Sequence, residues 1–356
     1  MNKFSKSILA GFAAIAVSSM AMAGNGDRVG SAGAGELLIN PWGPSAGWGD
    51  AGISCVNGVD AIYTNIAGLA FTTKTQIRFD RTSWLGGSGV NINSAGLAQR
   101  ISDAGVISVS VMSMGFGDIQ ITTVDLPEGG IGNFRPTYSN FNVGYAREFS
   151  NSIYGGINFK VINETISNLR GTGVAIDAGI RYVTGEEDQI KFGITLKNVG
   201  PTMSFKGDGL AISMMYPETG DLATLEQRSS AFEMPSLLAI GGSYDFNFSE
   251  MYKLTAAGSF TANSFSNDQF RLGLNFHMGN EKAQFDMNVG YVYEKGIFSK
   301  DYMFNGRVTA LSGITGGVTV NAIVGKNKSM LGINYAYRHA APFNGCHTVG
   351  VTIDLK

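Results

Sequence analysis

The stretch Phe270-Arg271-Leu272-Gly273-Leu274-Asn275-Phe276-His277-Met278 decides how this chain is read. Apolar residues stand at every second position, with a charged, polar or glycine residue between them. Successive side chains of a strand point to opposite faces, so this is a strand with one greasy face and one polar or glycine face. The pattern recurs in Ile190, Phe192, Ile194 and Leu196, in Phe285, Met287, Val289, Tyr291 and Tyr293, and in Val174, Ile176, Ala178, Ile180 and Tyr182. Strands of soluble sandwiches average about 5–6 residues. These runs reach the roughly 9–11 residues that a tilted strand needs to cross a bilayer.

Working outward, the alternation predicts strands over 74–82, 89–101, 104–115, 136–150, 153–166, 170–184, 188–198, 235–248, 252–263, 268–279, 282–295, 312–325, 328–340 and 346–356. Fourteen is an even number, as a closed bacterial barrel requires. Connections after even-numbered strands are tight: Ser102-Asp103, Asn151-Ser152, Gly185-Glu186-Glu187, Asn280-Glu281 and Lys326-Asn327. The long ones, 116–135, 199–234 and 296–311, all follow odd-numbered strands. Short periplasmic turns opposite long external loops are the outer-membrane pattern. The expected fold is all-β, a 14-stranded antiparallel transmembrane barrel, with both termini on the periplasmic side.

Composition agrees. Charged residues make up 15 %, against roughly 25 % in ordinary soluble domains. Lys+Arg 26 against Asp+Glu 28 leaves no electrostatic case for nucleic-acid binding. Gly, at 49 residues, is about twice the usual share of ~7 %. Lys3 and Lys6 precede an apolar run from Ile8 to Val17, and Ala21-Met22-Ala23 supplies the small-x-small pattern of an export signal over 1–23. Residues 24–73 carry Trp42, Trp48, Pro41 and Pro44 and read as irregular, a segment able to plug the lumen ahead of a barrel over 74–356.

Several stretches carry a resemblance. Arg28-Val29-Gly30-Ser31-Ala32-Gly33-Ala34-Gly35-Glu36-Leu37-Leu38-Ile39 resembles the mature start of the PorV/PorQ family of outer-membrane proteins. Asp60-Ala61-Ile62-Tyr63-Thr64-Asn65-Ile66-Ala67-Gly68-Leu69-Ala70 is similar to that family's Y-W-N-P-A-G-L-A pattern, with Thr64 at the aromatic and Ile66 at the proline. Phe192 to Gly200 and Ile333 to Tyr337 fall where the family has similar strands. The resemblance implies a FadL-like barrel whose N-terminal hatch includes Tyr63, Asn65, Ala67, Gly68 and Leu69. It also implies an accessory role in type IX protein secretion. The partners would be the large translocon barrel, or exported proteins held by their C-terminal signal domains, in contact with outer-membrane lipid.

No arrangement of residues points to catalysis, a metal or a cofactor. Cys346 and His347 face opposite sides of one strand and cannot form a dyad with each other. His277 falls in the lumen and His339 outward, so the histidines do not gather, and C-x-x-C is absent. Cys55 and Cys346 could pair or stay free. By phase the lumen receives Arg78, Asp80, Lys160, Glu164, Asp177, Arg181, Lys191, Lys197, Arg271, Asp286 and Asp354, either as a polar conduit or as charges that neutralise one another.

The 199–234 connection carries Leu210, Ile212, Met214, Met215, Tyr216 and Phe232 between charges. Such residues form either a partner surface or a loop folded over the mouth. The expectation is a non-enzymatic secretion accessory that binds protein through this loop. The alternative is a FadL-like channel for hydrophobic small molecules, favoured by an apolar pocket behind the hatch and disfavoured by a solid, charge-paired lumen.

Overall fold

The computed structural model describes residues 26–101, 103, 105–215, 218–280, 282–299, 308–325 and 328–355. The export signal expected over 1–23 lies outside the described residues, as do Tyr216 and parts of three predicted turns (Ser102, Glu281, Lys326 and Asn327). Among the described residues fourteen strands form the wall: β1 Thr75–Ser83, β2 Asn91–Arg100, β3 Gly105–Gly115, β4 Thr137–Ser150, β5 Ile153–Ile166, β6 Leu169–Thr184, β7 Ile190–Val199, β8 Leu237–Asn247, β9 Tyr252–Asn263, β10 Gln269–Gly279, β11 Ala283–Glu294, β12 Gly313–Val324, β13 Ser329–Arg338 and β14 Cys346–Leu355. Each pairs antiparallel with its neighbour in sequence, and β1 pairs with β14 through Phe79↔Val351 and Arg81↔Val349, closing the barrel. No strand edge of the wall is left open, which a bilayer requires.

The outward face is the apolar one. Phe79, Val109, Phe141, Phe159, Ile180, Phe192, Leu272, Ile314 and Ile333 are all exposed, while the lumen-facing Arg78, Asp80, Lys160, Asp177 and Arg181 are buried. A soluble protein would reverse this. The arrangement fits lipid outside and a packed polar interior.

The ladder departs from regular pairing between β6 and β7. Ile176 pairs with Val199 and Ala178 with Leu196, leaving Asp177 on one strand opposite Lys197 and Asn198 on the other. Asn198 takes φ 60°, and its backbone N–H donates to Asp177 Oδ1 at 2.8 Å instead of to a wall carbonyl. The bulge thus turns a side-chain carboxylate into a ladder acceptor.

Residues 26–72 lie inside the barrel as short helical turns: Gly26–Arg28, Gly35–Leu38, Gly43–Gly47, Gly58–Ile62 and Ile66–Phe71. They thread it lengthwise. Arg28 pairs with Glu233 at 2.6 Å and its guanidinium lies 4.1 Å from the Phe265 ring, both in connections at the long-loop end. Thr73 reaches Asp354 at the opposite, short-turn end. The first described residues sit at the long-loop mouth, and Leu355 sits at the other end. An irregular segment takes its path from contacts 205 residues away in sequence, not from any periodicity of its own.

Candidate functional site

The N-terminal segment is seated on a belt of glycines. Gly156↔Gly179, Gly193↔Gly241 and Gly273↔Gly290 are direct cross-strand pairs, with their open faces toward the lumen. A Cβ on Gly193 would come within 2.7 Å of the Ile53 carbonyl oxygen, one on Gly273 within 3.0 Å of the Trp48 carbonyl oxygen, and one on Gly96 within 3.1 Å of the Trp42 ring. The glycine face seen in the alternation is thus the surface on which an irregular backbone can approach the wall.

Tight helical turns leave many backbone groups without intrasegment partners, and buried ones must be satisfied. The wall supplies the missing groups. Arg338 donates to the Asn40 carbonyl at 2.7 Å, Asn288 to Pro44 at 3.2 Å, Thr315 to Gly47 at 2.9 Å and Lys197 to Tyr63 at 2.6 Å. Arg100 donates to the carbonyls of Ala70 and Thr72, and Arg181 to the Val56 carbonyl and to the side-chain Oδ1 of Asn57. In return, Gly43 N–H donates to Asp80 and Val59 N–H to Gln76.

All five hatch-motif residues are buried in this seat. Asn65 caps the Ile66–Phe71 turn by accepting from Ala67 N–H at 3.1 Å, and its amide donates to the carbonyls of Ile53 and Ile180. Tyr63 accepts from Asn142 at 3.0 Å, and burial pushes its hydroxyl pKa up. Gly68 has no room for a Cβ, which would meet the Arg181 guanidinium at 2.8 Å and Ala61 at 2.9 Å. Ala67 and Leu69 are wholly buried.

Several lumen charges pair with one another or with the segment. Arg78 pairs with Asp60 at 3.2 Å, Lys160 with Asp177 at 2.7 Å, His277 with Asp286 at 2.7 Å, Arg271 with Asp50 at 3.5 Å, and Lys191 with Asp245. Burial raises the pKa of Asp60 despite Arg78 beside it. Sequence phase places these wall residues in the lumen except Asp245, which that reading missed; Asp50 and Asp60, from the irregular segment, carry no such signal.

Cavities remain at both ends of the barrel. One of about 320 Å³ opens at the short-turn end and is polar, lined by Gln76, Lys191, Asp245, Lys253, Asp286 and Asp354 among others. A second, of about 240 Å³ at the long-loop mouth, is walled by Leu38, Ile39, Trp84, Leu237, Val292 and Leu311, with Arg271 and Asp50 also on its surface. His339, expected outward, lies just beyond the end of β13 and lines this mouth cavity. A small space of about 30 Å³ shares Leu38, Asp50, Leu237 and Arg271 with the mouth cavity and continues to Tyr63, Thr64 and Lys197. It leads from the mouth toward the β6–β7 bulge.

The two cysteines are free and belong to separate clusters: Cys346 accepts from Leu85 N–H at 3.3 Å, while Cys55 packs near Trp48 and Ala51. In the 199–234 connection, Ala211–Met215 and Leu222–Glu226 form an external hairpin on which Ile212, Met214, Met215, Leu222 and Leu225 are exposed. Leu210 is half-buried beside it. Phe232 is elsewhere: its ring packs on Phe205 and over Gly33 of the N-terminal segment.

No protein-family model matches the chain, and no curated protein matches it in sequence. Solved structures do match in fold. A FadL homologue of Pseudomonas aeruginosa superposes with a TM-score of 0.54 at 11 % identity, over 88 % of this chain and 98 % of that one. The monoaromatic hydrocarbon channel CymD gives 0.52 at 13 % identity, over 87 % and 96 %. The toluene transporter TbuX of Ralstonia pickettii gives 0.51 at 13 % identity, over 88 % and 97 %. The fold is FadL-like. At such identities the likeness extends to architecture alone.

Proposed function

We propose that this protein is a non-enzymatic outer-membrane channel that admits a small hydrophobic molecule from the long-loop side. The observation that carries the reading is the mouth cavity above the seated segment, where Leu38, Ile39, Trp84, Leu237 and Leu311 offer an apolar wall opposite polar groups such as Gln269, Arg271 and Arg338. Its volume, about 240 Å³, exceeds the roughly 150 Å³ apolar cavity known to hold a benzene. One ring or a short chain fits there. The paired charges and filled belt beneath describe a closed state, so passage requires the segment around Asn65 to Leu69 to shift. The test is binding of toluene and a hexane-sized alkane to purified protein, with uptake into proteoliposomes. Saturable binding that is lost in Leu237→Trp supports the channel; absence of saturable binding overturns it.

A second reading, an accessory of type IX secretion, draws support from the exposed hairpin. The apolar side chains of Ile212, Met214 and Leu222 are not folded back over the mouth. In this reading the hairpin binds the large translocon barrel or the C-terminal signal domain of an exported protein. Gentle detergent extraction from the native membrane, followed by mass spectrometry, tests it. Recovery of either partner supports the reading, and a monomer carrying only lipid overturns it.

A further inference from the structure

Glu36 and Glu164 present an arrangement that the channel reading leaves unused. Glu36 sits in the Gly35–Leu38 turn of the N-terminal segment and Glu164 near the end of β5, and both are buried, at 3 % and 4 % exposure. Both flank one buried cluster, in which Ala34 and Leu37 on either side of Glu36 pack with Ile162, two residues before Glu164 on the same face of β5, and each carboxyl group acts on the other. Among the described residues no side-chain donor reaches either oxygen of Glu36. The surroundings are apolar: Ala34, Leu37, Ile162, Ala175, Met203 and Met234, with Phe232 against them.

Among the described residues the nearby cations are engaged elsewhere and leave the two carboxylates without a counter-charge. Lys160, also on β5, is held by Asp177 and Asn198, and Lys197 of β7 donates to the Tyr63 carbonyl. Arg28 is engaged by Glu233 of the connection before β8. The remaining titratable neighbours are Tyr138 on β4 and Tyr63 in the segment itself, whose hydroxyls supply no positive charge. Two carboxyl groups acting on each other within an apolar site cannot both ionise without strong repulsion.

We propose that Glu36 and Glu164 share one proton, that this clasp fastens the outer part of the N-terminal segment to the wall, and that it opens as the medium turns alkaline. The consequence for the mouth cavity is local: Gly35, Leu38 and Ile39, the residues around Glu36, line it. Its link to transport rests on the channel reading; the clasp itself does not. Burial and the Glu164 charge push Glu36 up to about 8, opposed by its own amide. A raised carboxyl pKa means that the protonated form belongs to the folded state. The clasp is therefore intact below the ordinary value of 4.5, weakens above it and is lost as the pH rises through about 8.

The experiment measures a spin-label distance between Ser31→Cys and Asn267→Cys, in a Cys55→Ala, Cys346→Ala background of the full chain in nanodiscs, with chelator present throughout. The expected result is a detached population that rises at least tenfold between pH 6.5 and pH 9. In Glu164→Gln, where an amide can donate to the Glu36 carboxylate, the distance should be independent of pH over that range. A wild-type distance unchanged to pH 9.5, or the same pH response in Glu164→Gln, overturns the clasp. Because the readout is a distance, it fails independently of any uptake measurement.

Discussion

The side-chain amide of Asn65 donates to the backbone carbonyl of Ile180 at 3.1 Å, joining the N-terminal segment to the barrel wall across 115 residues of sequence. A carbonyl in a strand interior normally serves its neighbour in the ladder. Here Gly179, beside it, leaves the space that the Asn65 side chain occupies. The same amide also bonds Ile53, and its oxygen caps the Ile66–Phe71 turn. Three partners on one buried side chain make Asn65 the joint between turn, segment and wall.

Asn65→Ala should therefore cost about 2–3 kcal/mol, since the buried carbonyls and the Ala67 N–H lose their partner together. Asn65→Asp should cost at least as much, because it keeps the capping acceptor but sets a buried carboxylate against the Ile53 and Ile180 carbonyls, which lose their donor. Hydrogen exchange of residues 65–71 in detergent checks this, with faster exchange expected in both variants than in wild type. Equal protection in all three would mean that packing of Ile66 and Leu69 alone holds the turn.

The glycine belt makes a prediction about conductance. Gly193→Ala places a methyl group 2.7 Å from the Ile53 carbonyl oxygen, so the segment must lift from the wall. The barrel itself should still close, because the added group touches no ladder hydrogen bond. Planar-bilayer recordings should show frequent ion-conducting openings in Gly193→Ala and few in wild type. Gly258→Ala is the control: its Cβ would meet the Leu272 side chain at 3.4 Å and the Arg271 carbonyl oxygen at 3.9 Å, both ordinary contacts. Openings in the control as well would show that the effect is not one of seating.

Lys160 and Asp177 test the paired interior. Both are 2 % exposed, 2.7 Å apart, and each also bonds Asn198. Removing one partner strands a buried charge, so Lys160→Met should destabilise by about 3–5 kcal/mol. The double change Lys160→Met with Asp177→Leu should recover part of this, short of wild type because Asn198 at the bulge loses both partners. Urea unfolding in micelles measures the cycle. Full additivity of the two single changes would remove the pair from the account.

What was legible beforehand follows from periodicity. Strand β10 could be read from Phe270 to Met278 because a half-buried strand writes its two faces into alternate letters, and the lumen phase of Arg271 came with it. The partner of Arg271 could not be read. Asp50 belongs to a segment with no period, brought there by contacts hundreds of residues apart. Glu36 stands in a family-like stretch, and nothing local marks it as a carboxylate that will meet Glu164. The glycines were visible as a face, but their purpose needed the register that pairs Gly156 with Gly179 and Gly273 with Gly290.

The external hairpin and the mouth cavity separate the two functional readings by substitution. Ile212, Met214 and Leu222 are exposed and touch no part of the barrel core, so changing all three to Ser should shift stability by no more than about 0.5 kcal/mol per site. Arg271→Gln alters the floor of the mouth cavity, where its guanidinium meets Asp50 at 3.5 Å, and leaves the hairpin intact. If the protein is a channel, the Arg271→Gln variant should bind toluene with an altered Kd while the hairpin variant binds as wild type. If it is a secretion accessory, the hairpin variant should lose its co-purifying partner while Arg271→Gln retains it. Parallel extraction and ligand titration on the two variants read both outcomes. A hairpin variant that changes toluene binding, with Arg271→Gln silent in both assays, would sink the channel reading, because the cavity would then have no part in recognition.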